Sequence, residues 1–177
     1  MVWTGMVWKL RIGCFFPRID MSEEAPTFPP IDPSPYEFGI VTASYNQSLC
    51  DALLARVTEV LNFSGSPKEV IVERVPGSHE IPSLLKLMLE ARPFHCLIGL
   101  GVVIKGSTSH HHLVAESAGH AIQSLAIEHG VPIINGLVVT EDLNSAEERI
   151  TGSLDRGKEF AQAALRMAQL YEKWTKI

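Results

Sequence analysis

The spacing of hydrophobic positions changes period several times along the chain, and each change marks an element. Residues 38–43 (FGIVTA) are a short apolar run that reads as a first strand. Leu49, Leu53, Leu54, Val57, Val60 and Leu61 then recur at helical spacing until Gly65 and Pro67 stop the pattern. Residues 70–75 read as a second strand. Ile81, Leu84, Leu85, Met88 and Leu89 form a second helical stripe, closed by Pro93. The third strand is nearly unbroken: Cys96, Leu97, Ile98, Leu100, Val102, Val103 and Ile104 are apolar, and only glycines interrupt them. Such a run suits a strand covered on both faces, as in a parallel sheet. Leu113, Val114, Ser117, Ala118, Ala121, Ile122, Leu125 and Ala126 then mark one face of a third helix, which Gly130 ends. Residues 132–140 are the fourth strand, and the tail from Asp142 onward is helical with an interruption at Gly152.

Strands alternating with helices predict an α/β domain with a parallel sheet and helices on both faces. Right-handed crossovers favour a three-layer, flavodoxin-like arrangement with a four-stranded sheet in the order 2-1-3-4. Residues 21–37 carry Pro26, Pro29, Pro30, Pro33 and Pro35. Residues 1–37 are therefore expected to be an extended arm without a core of its own, able to lie along a neighbouring subunit, and residues 38–177 a single domain. The first twenty residues mix tryptophans with Lys9, Arg11 and Arg18, too broken an apolar stretch for a signal peptide. Met21 opens an acidic, proline-rich lead-in and is the expected start of translation.

Composition narrows the class without naming a function. A chain of 177 residues with 46% hydrophobic and 20% charged residues can bury the core of one globular domain. A net charge of −5 gives no electrostatic reason to expect nucleic acid as a partner. No run reaches transmembrane length, so no membrane partner is expected. Of the cysteines Cys14, Cys50 and Cys96, two fall in apolar patterns, which points to buried thiols and a reducing cytoplasm.

The chemistry gathers at three turns, each after a strand: Tyr45-Asn46, Ser78-His79-Glu80, and Gly106 to His110. Asn46 is placed to cap the helix that follows it. The third turn runs from strand through Lys105-Gly106-Ser107-Thr108 into a helix. The first N–H groups of a helix have no partner inside it, and the macrodipole adds positive potential there. Such an end favours an anion, commonly phosphate, and Ser107 and Thr108 add hydroxyl donors while Lys105 adds charge. At roughly 100° per residue, His110 projects inward beside Val114, Ser117 and Ala121, His111 falls at the edge of that face, and His112 points away.

Neighbouring readings fail on spacing. Three diverging imidazoles, with no cysteine or carboxylate at ligand spacing, argue against a metal site. Residues 101–108 (GVVIKGST) echo a nucleotide P-loop, but no lysine follows the second glycine. The Gly99-x-Gly101 pair lies inside a strand rather than at a turn, so it fails as a dinucleotide fingerprint. Each candidate also has a plainer alternative. His110 could be a structural histidine, Glu80 a charge matched to a helix N-terminus, Tyr45 a packing aromatic and Arg149 a surface charge.

Five ordered blocks go further than single residues. They are FGIVTASYN, VPGSHEIP, LGVVIKGSTSH followed by V-x-E-S-A, HGVPIINGLVVTED, and E-E-R followed by D-R-G-K-E. From about Phe38 to Leu170 the sequence resembles the lumazine synthases of riboflavin biosynthesis. The resemblance implies a flavodoxin-like domain assembled into homopentamers, often twelve of them in a hollow sixty-subunit shell, and it allows riboflavin synthase as a further partner. It implies a transferase for the penultimate step of the pathway. That enzyme condenses 5-amino-6-(D-ribitylamino)uracil with 3,4-dihydroxy-2-butanone 4-phosphate to 6,7-dimethyl-8-ribityllumazine, releasing phosphate and water, without cofactor or metal.

By the same resemblance His110 matches the acid/base histidine. Tyr45 and Asn46, Ser78, His79 and Glu80, and Val102, Val103 and Ile104 match the pocket for the pyrimidine ring and ribityl chain, which Asn135 reaches from the neighbouring subunit. Gly106, Ser107 and Thr108 match the phosphate site, with Arg149 from an adjacent subunit and Arg156 in the place of a lysine. His79 and Asn135 stand where phenylalanine is usual, and His111, His112 and Leu113 replace an aromatic and acidic segment. These polar replacements motivate two alternatives: a weak or inactive shell-forming, lumazine-binding protein on the same scaffold, and an enzyme that dismutates the lumazine to riboflavin. Retention of His110 and Arg149 favours the active synthase.

Overall fold

Nine residues of continuous apolar strand need cover on both sides, and the chain supplies it. The computed structural model describes residues 28–107 and 110–175. In it β3 (Cys96–Ile104) lies between β1 (Glu37–Ala43) and β4 (Ile133–Thr140), and β2 (Glu69–Val75) pairs with the outer side of β1. All pairings are parallel, and the expected order 2-1-3-4 is the order found. The first seven residues of β3 are all buried, whereas the edge strand β2 is exposed along most of its length.

Five helices complete the layers: α1 (Gln47–Leu61), α2 (Ile81–Ala91), α3 (His110–His129), α4 (Leu143–Ile150) and α5 (Arg156–Thr175). Helix α1 packs on α5 and α4, while α2 packs on α3, so the sheet is sandwiched between two helical layers. The α1 stripe read from the sequence is the buried one, with Leu49, Cys50, Leu53, Val57 and Leu61 facing inward. Full burial of each such aliphatic side chain contributes about 1.5–3 kcal/mol. Both thiols of the described residues, Cys50 and Cys96, are free and buried, and burial pushes both above the usual thiol range.

The last residues of the expected arm join the domain. Tyr36 is 4% exposed and meets Phe38 edge to face, with ring centroids 6.4 Å apart. Its other neighbour, His95, packs on Tyr171 of α5. Thr108, the expected start at Met21, Cys14 and the rest of residues 1–27 lie outside the described residues. No helix among the described residues is long and apolar enough to cross a membrane.

Register fixes what matters for the site. Ala43 pairs with Val75, Thr42 with Leu100, and Ile104 with Thr140. The C-terminal ends of all four strands therefore emerge at one edge of the sheet, where open α/β sheets bind ligands.

Candidate active site

The first turn is strapped to the second. Ser44 donates its N–H to the Val75 carbonyl at 2.9 Å, and Tyr45 donates to the Pro76 carbonyl at 3.1 Å. The Cys50 thiol donates to the Tyr45 carbonyl from below at 3.2 Å. Asn46 departs from expectation: it precedes α1 but does not cap it with its side chain. Its backbone is left-handed (φ 53°, ψ 46°), whereas a capping side chain reaches the helix N–H groups from extended backbone. The Asn46 amide instead donates to the Val102 carbonyl at 2.8 Å, tying the β1 exit to β3.

The second turn is a short 3-10 segment, Ser78–Glu80, ahead of α2. Gly77 leaves room for two side chains beside it, and a larger residue there would require them to shift. A Cβ on it would lie 3.0 Å from Glu80 Oε2 and 3.3 Å from the Tyr45 ring, so the aromatic and the carboxylate close in from either side. Ser78 is buried, while His79 and Glu80 are exposed.

The third turn leaves Gly106, Ser107 and His110 exposed. Lys105, expected to add charge to this turn, is exposed and holds a partner on the next strand's exit. Its ammonium pairs with Glu141 Oε2 at 2.5 Å, because parallel pairing brings the exits of β3 and β4 together. That hydrogen bond, with the lysine charge, holds the Glu141 carboxyl below the usual carboxylate range.

Together the turns enclose a cleft of about 500 Å³. Eleven residues proposed from the sequence line it: Tyr45, Asn46, Ser78, His79, Glu80, Val102, Val103, Ile104, Gly106, Ser107 and His110. Gly77, His111 and Val114 also line it and were not proposed as site residues. Val114 follows His110 by one helical turn, a signal already present in the periodicity. The cleft joins an aromatic ring, an apolar strand end, a carboxylate, a helix start and an imidazole. Such a mixture suits a polar planar ligand bearing an anionic group.

Helix α3 keeps the phase read off the sequence except in its first turn: of the expected stripe, Ala118, Ile122 and Leu125 are buried, Val114, Ser117, Ala121 and Ala126 are half-buried, and only Leu113 is exposed. Its buried face runs through His111, Ala118, Ile122 and Leu125, and Leu113 is 63% exposed. His111, not His110, is the buried histidine, at 6% exposure. Nor do the next two imidazoles diverge: the rings of His111 and His112 lie 4.0 Å apart, tilted by 37°. The first residues of a helix have no preceding turn to restrict their side-chain rotamers, so two neighbouring rings can swing together.

Three candidates lie elsewhere on the chain. Asn135 is exposed on the edge strand β4, where its Oδ1 accepts the Leu137 N–H at 3.2 Å. Arg149 and Arg156 line a second concavity of about 300 Å³ with Leu137, Val138, Val139 and Phe160. Arg149 donates to the Ser145 carbonyl at 3.0 Å, and Arg156 pairs with Glu159.

Comparison with known proteins completes the picture. The family model described as 6,7-dimethyl-8-ribityllumazine synthase matches residues 35–172. Proteins named 6,7-dimethyl-8-ribityllumazine synthase are similar over most of their length. One from Azoarcus sp. (strain BH72) is 40% identical over 133 residues, 75% of this chain and 83% of the relative. One from Polaromonas sp. (strain JS666 / ATCC BAA-500) is 35% identical over 144 residues, 81% and 92% of the two chains. One from Xylella fastidiosa (strain M12) is 37% identical over 143 residues, 80% and 93% of the two chains. The matched span takes in every strand, every helix but the last residues of α5, and all three turns around the cleft, and on that ground the chain belongs to the 6,7-dimethyl-8-ribityllumazine synthase family.

Proposed function

We propose that this chain condenses 5-amino-6-(D-ribitylamino)uracil with 3,4-dihydroxy-2-butanone 4-phosphate to 6,7-dimethyl-8-ribityllumazine. Family membership supports the reaction, and the observation that carries it is the single cleft in which Tyr45, Glu80, Ser107 and His110 meet. The uracil's free amine adds to the ketone and water leaves, giving an imine. A proton is lost from carbon, and phosphate departs with the electron pair of its bridging C–O bond. The enol this leaves tautomerises, by proton transfer to its terminal carbon, to a new ketone. The ribityl-bearing nitrogen attacks that carbonyl, and a second water leaves as the ring closes.

In this reading His110 moves protons during imine formation and phosphate loss. Tyr45 stacks on the pyrimidine, and Asn46, Ser78, His79 and Glu80 with the β3 end from Val102 to Ile104 hold the ring and ribityl chain. Gly106, Ser107, Thr108 and the start of α3 take the phosphate. Arg149, Arg156 and Asn135 act across a subunit contact, since Arg149 and Arg156 line a different concavity of their own chain from the one that holds His110. A guanidinium reaching the phosphate from a neighbour adds a charge-assisted contact. Much of the acceleration comes from holding two substrates in register. The assembly is a homopentamer, open to closure into a sixty-subunit shell and to riboflavin synthase as a partner, and it works in the cytoplasm without cofactor.

Incubating purified protein with both substrates and following lumazine fluorescence tests the reading. Product formation is expected. A protein that binds lumazine without making it, or that makes riboflavin from lumazine alone, overturns it.

A further inference from the structure

A second cluster of reactive side chains stands at the rim of the cleft, and the sheet register builds it. Ile104 and Thr140 pair at the ends of β3 and β4, and the Lys105 N–H donates to the Thr140 carbonyl at 2.9 Å. Glu141 therefore leaves the sheet beside the first turn of α3. There His111, His112 and Glu141 each bring a ligand-capable atom within 4.8 Å of the others. The imidazole rings are 4.0 Å apart. His111 is buried, while His112 and Glu141 are exposed and can swing inward.

The donor set decides the class of ligand. Two imidazole nitrogens and one carboxylate oxygen suit zinc and its neighbours in the first transition series, whereas magnesium and calcium take oxygen donors. Bonds of about 2.0–2.2 Å to such an ion draw the three donor atoms closer than they now stand. That contraction falls on the two exposed side chains. Lys105 engages Oε2 of Glu141, which leaves Oε1 for the ion.

We propose that His111, His112 and Glu141 bind one divalent transition-metal ion of the zinc class, with water completing its coordination. The site borders the condensation cleft, whose lining includes His111, but it does not use His110, and the reaction proposed above has no metal step. It would tie the first turn of α3, which also carries His110, to the exit of β4.

The test uses untagged, full-length protein stripped with a chelator and titrated with Co²⁺, read by visible d–d absorption, and with Zn²⁺ by calorimetry. One ion per chain is expected. His112→Ala and Glu141→Gln alter exposed side chains and leave the core intact. Each should weaken binding by more than the roughly 10–100-fold that loss of an outer-shell partner costs. His110→Ala should keep both stoichiometry and spectrum. Absence of the cobalt bands in the wild type, unchanged affinity in both ligand variants, or loss of binding in His110→Ala overturns the assignment.

Discussion

Ser78 packs its hydroxyl against the bare Cα of Gly101: a Cβ at that glycine would lie 2.3 Å from Ser78 Oγ and 2.9 Å from Leu137 Cδ2. The contact sets the height of the turn that carries His79 and Glu80 above the end of β3. Gly101→Ala forces the Ser78 hydroxyl, the Leu137 side chain or the turn itself to move. We expect a loss of roughly 1–3 kcal/mol of stability, as for other overpacked cores, and a fall in kcat/KM. Removing the hydroxyl as well, in Ser78→Ala/Gly101→Ala, relieves the closest contact and leaves Leu137 Cδ2 at 2.9 Å and the Ser78 Cβ at 3.2 Å, so part of the stability should return. Urea unfolding of the four proteins of this cycle measures the coupling, and strictly additive costs would show that the contact is not the cause.

Asn46 makes a different demand, because its backbone and its side chain are both committed. A left-handed φ of 53° is tolerated by asparagine and glycine better than by alanine. Its side chain holds the Val102 carbonyl at 2.8 Å. Asn46→Gly should lose the hydrogen bond alone, about 1 kcal/mol. Asn46→Ala should lose the bond and add roughly 1–2 kcal/mol of backbone strain. Thermal unfolding that ranks alanine equal to or above glycine at this position would contradict the assignment.

The pair Arg56–Asp155 predicts a pH dependence with a definite sign. Arg56 grips both oxygens of Asp155, with Nη2 to Oδ2 at 2.7 Å and Nε to Oδ1 at 3.0 Å, and joins α1 to the start of α5. The hydrogen bonds from Arg56 hold the Asp155 carboxyl below the usual range. A carboxylate depressed in the folded state stabilises fully above its unfolded value, about 3.9, and the contribution disappears as pH falls through the folded value. Asp155→Asn tolerates the positive φ of 40° but lacks the charge. Because both side chains are partly solvent-exposed and Arg56 keeps Glu59 at 2.9 Å, the cost at neutral pH should be only about 1 kcal/mol. The gap between wild type and variant should hold steady from pH 7 to about 5 and narrow below about 4. Denaturation curves across that range would refute the linkage if the gap widened in acid.

These particulars show what periodicity carries and what it does not. Continuous burial of β3 and the helical stripes around it are local patterns, so the strand order and the three convergent turns were legible in the sequence. The first turn of α3 was not. The stripe gave the right phase from Val114 to Ala126, but Leu113 turns outward and His111 inward; the imidazole carries no apolar mark, although it stands two helical turns before Ala118 on the same face. Asn46 looked like a cap because capping is a local rule. Its actual partner, the Val102 carbonyl, is on another strand and is visible only once the register is known. The cluster of His111, His112 and Glu141 is hidden for the same reason, since pairing of β3 with β4 brings the carboxylate to the histidines.

His110 and Arg149 offer the strongest test of a site shared between protomers. They line different concavities of the same chain. His110→Ala should assemble normally and bind substrate but turn over more slowly, by a factor within the roughly 10²–10⁴ that positioned acid–base groups contribute. Activity should survive above background because substrate juxtaposition is untouched. Arg149→Ala should chiefly raise KM for the phosphorylated ketone, since it removes a charge that would meet the phosphate in ground and transition states alike. Dissociating the two variants and reassembling them as mixtures creates contacts in which an intact His110 faces an intact Arg149. A composite site then gives the mixture more activity than the average of its parents. A mixture that only reproduces that average would place both residues in the service of one chain, and the shared site would have to be abandoned.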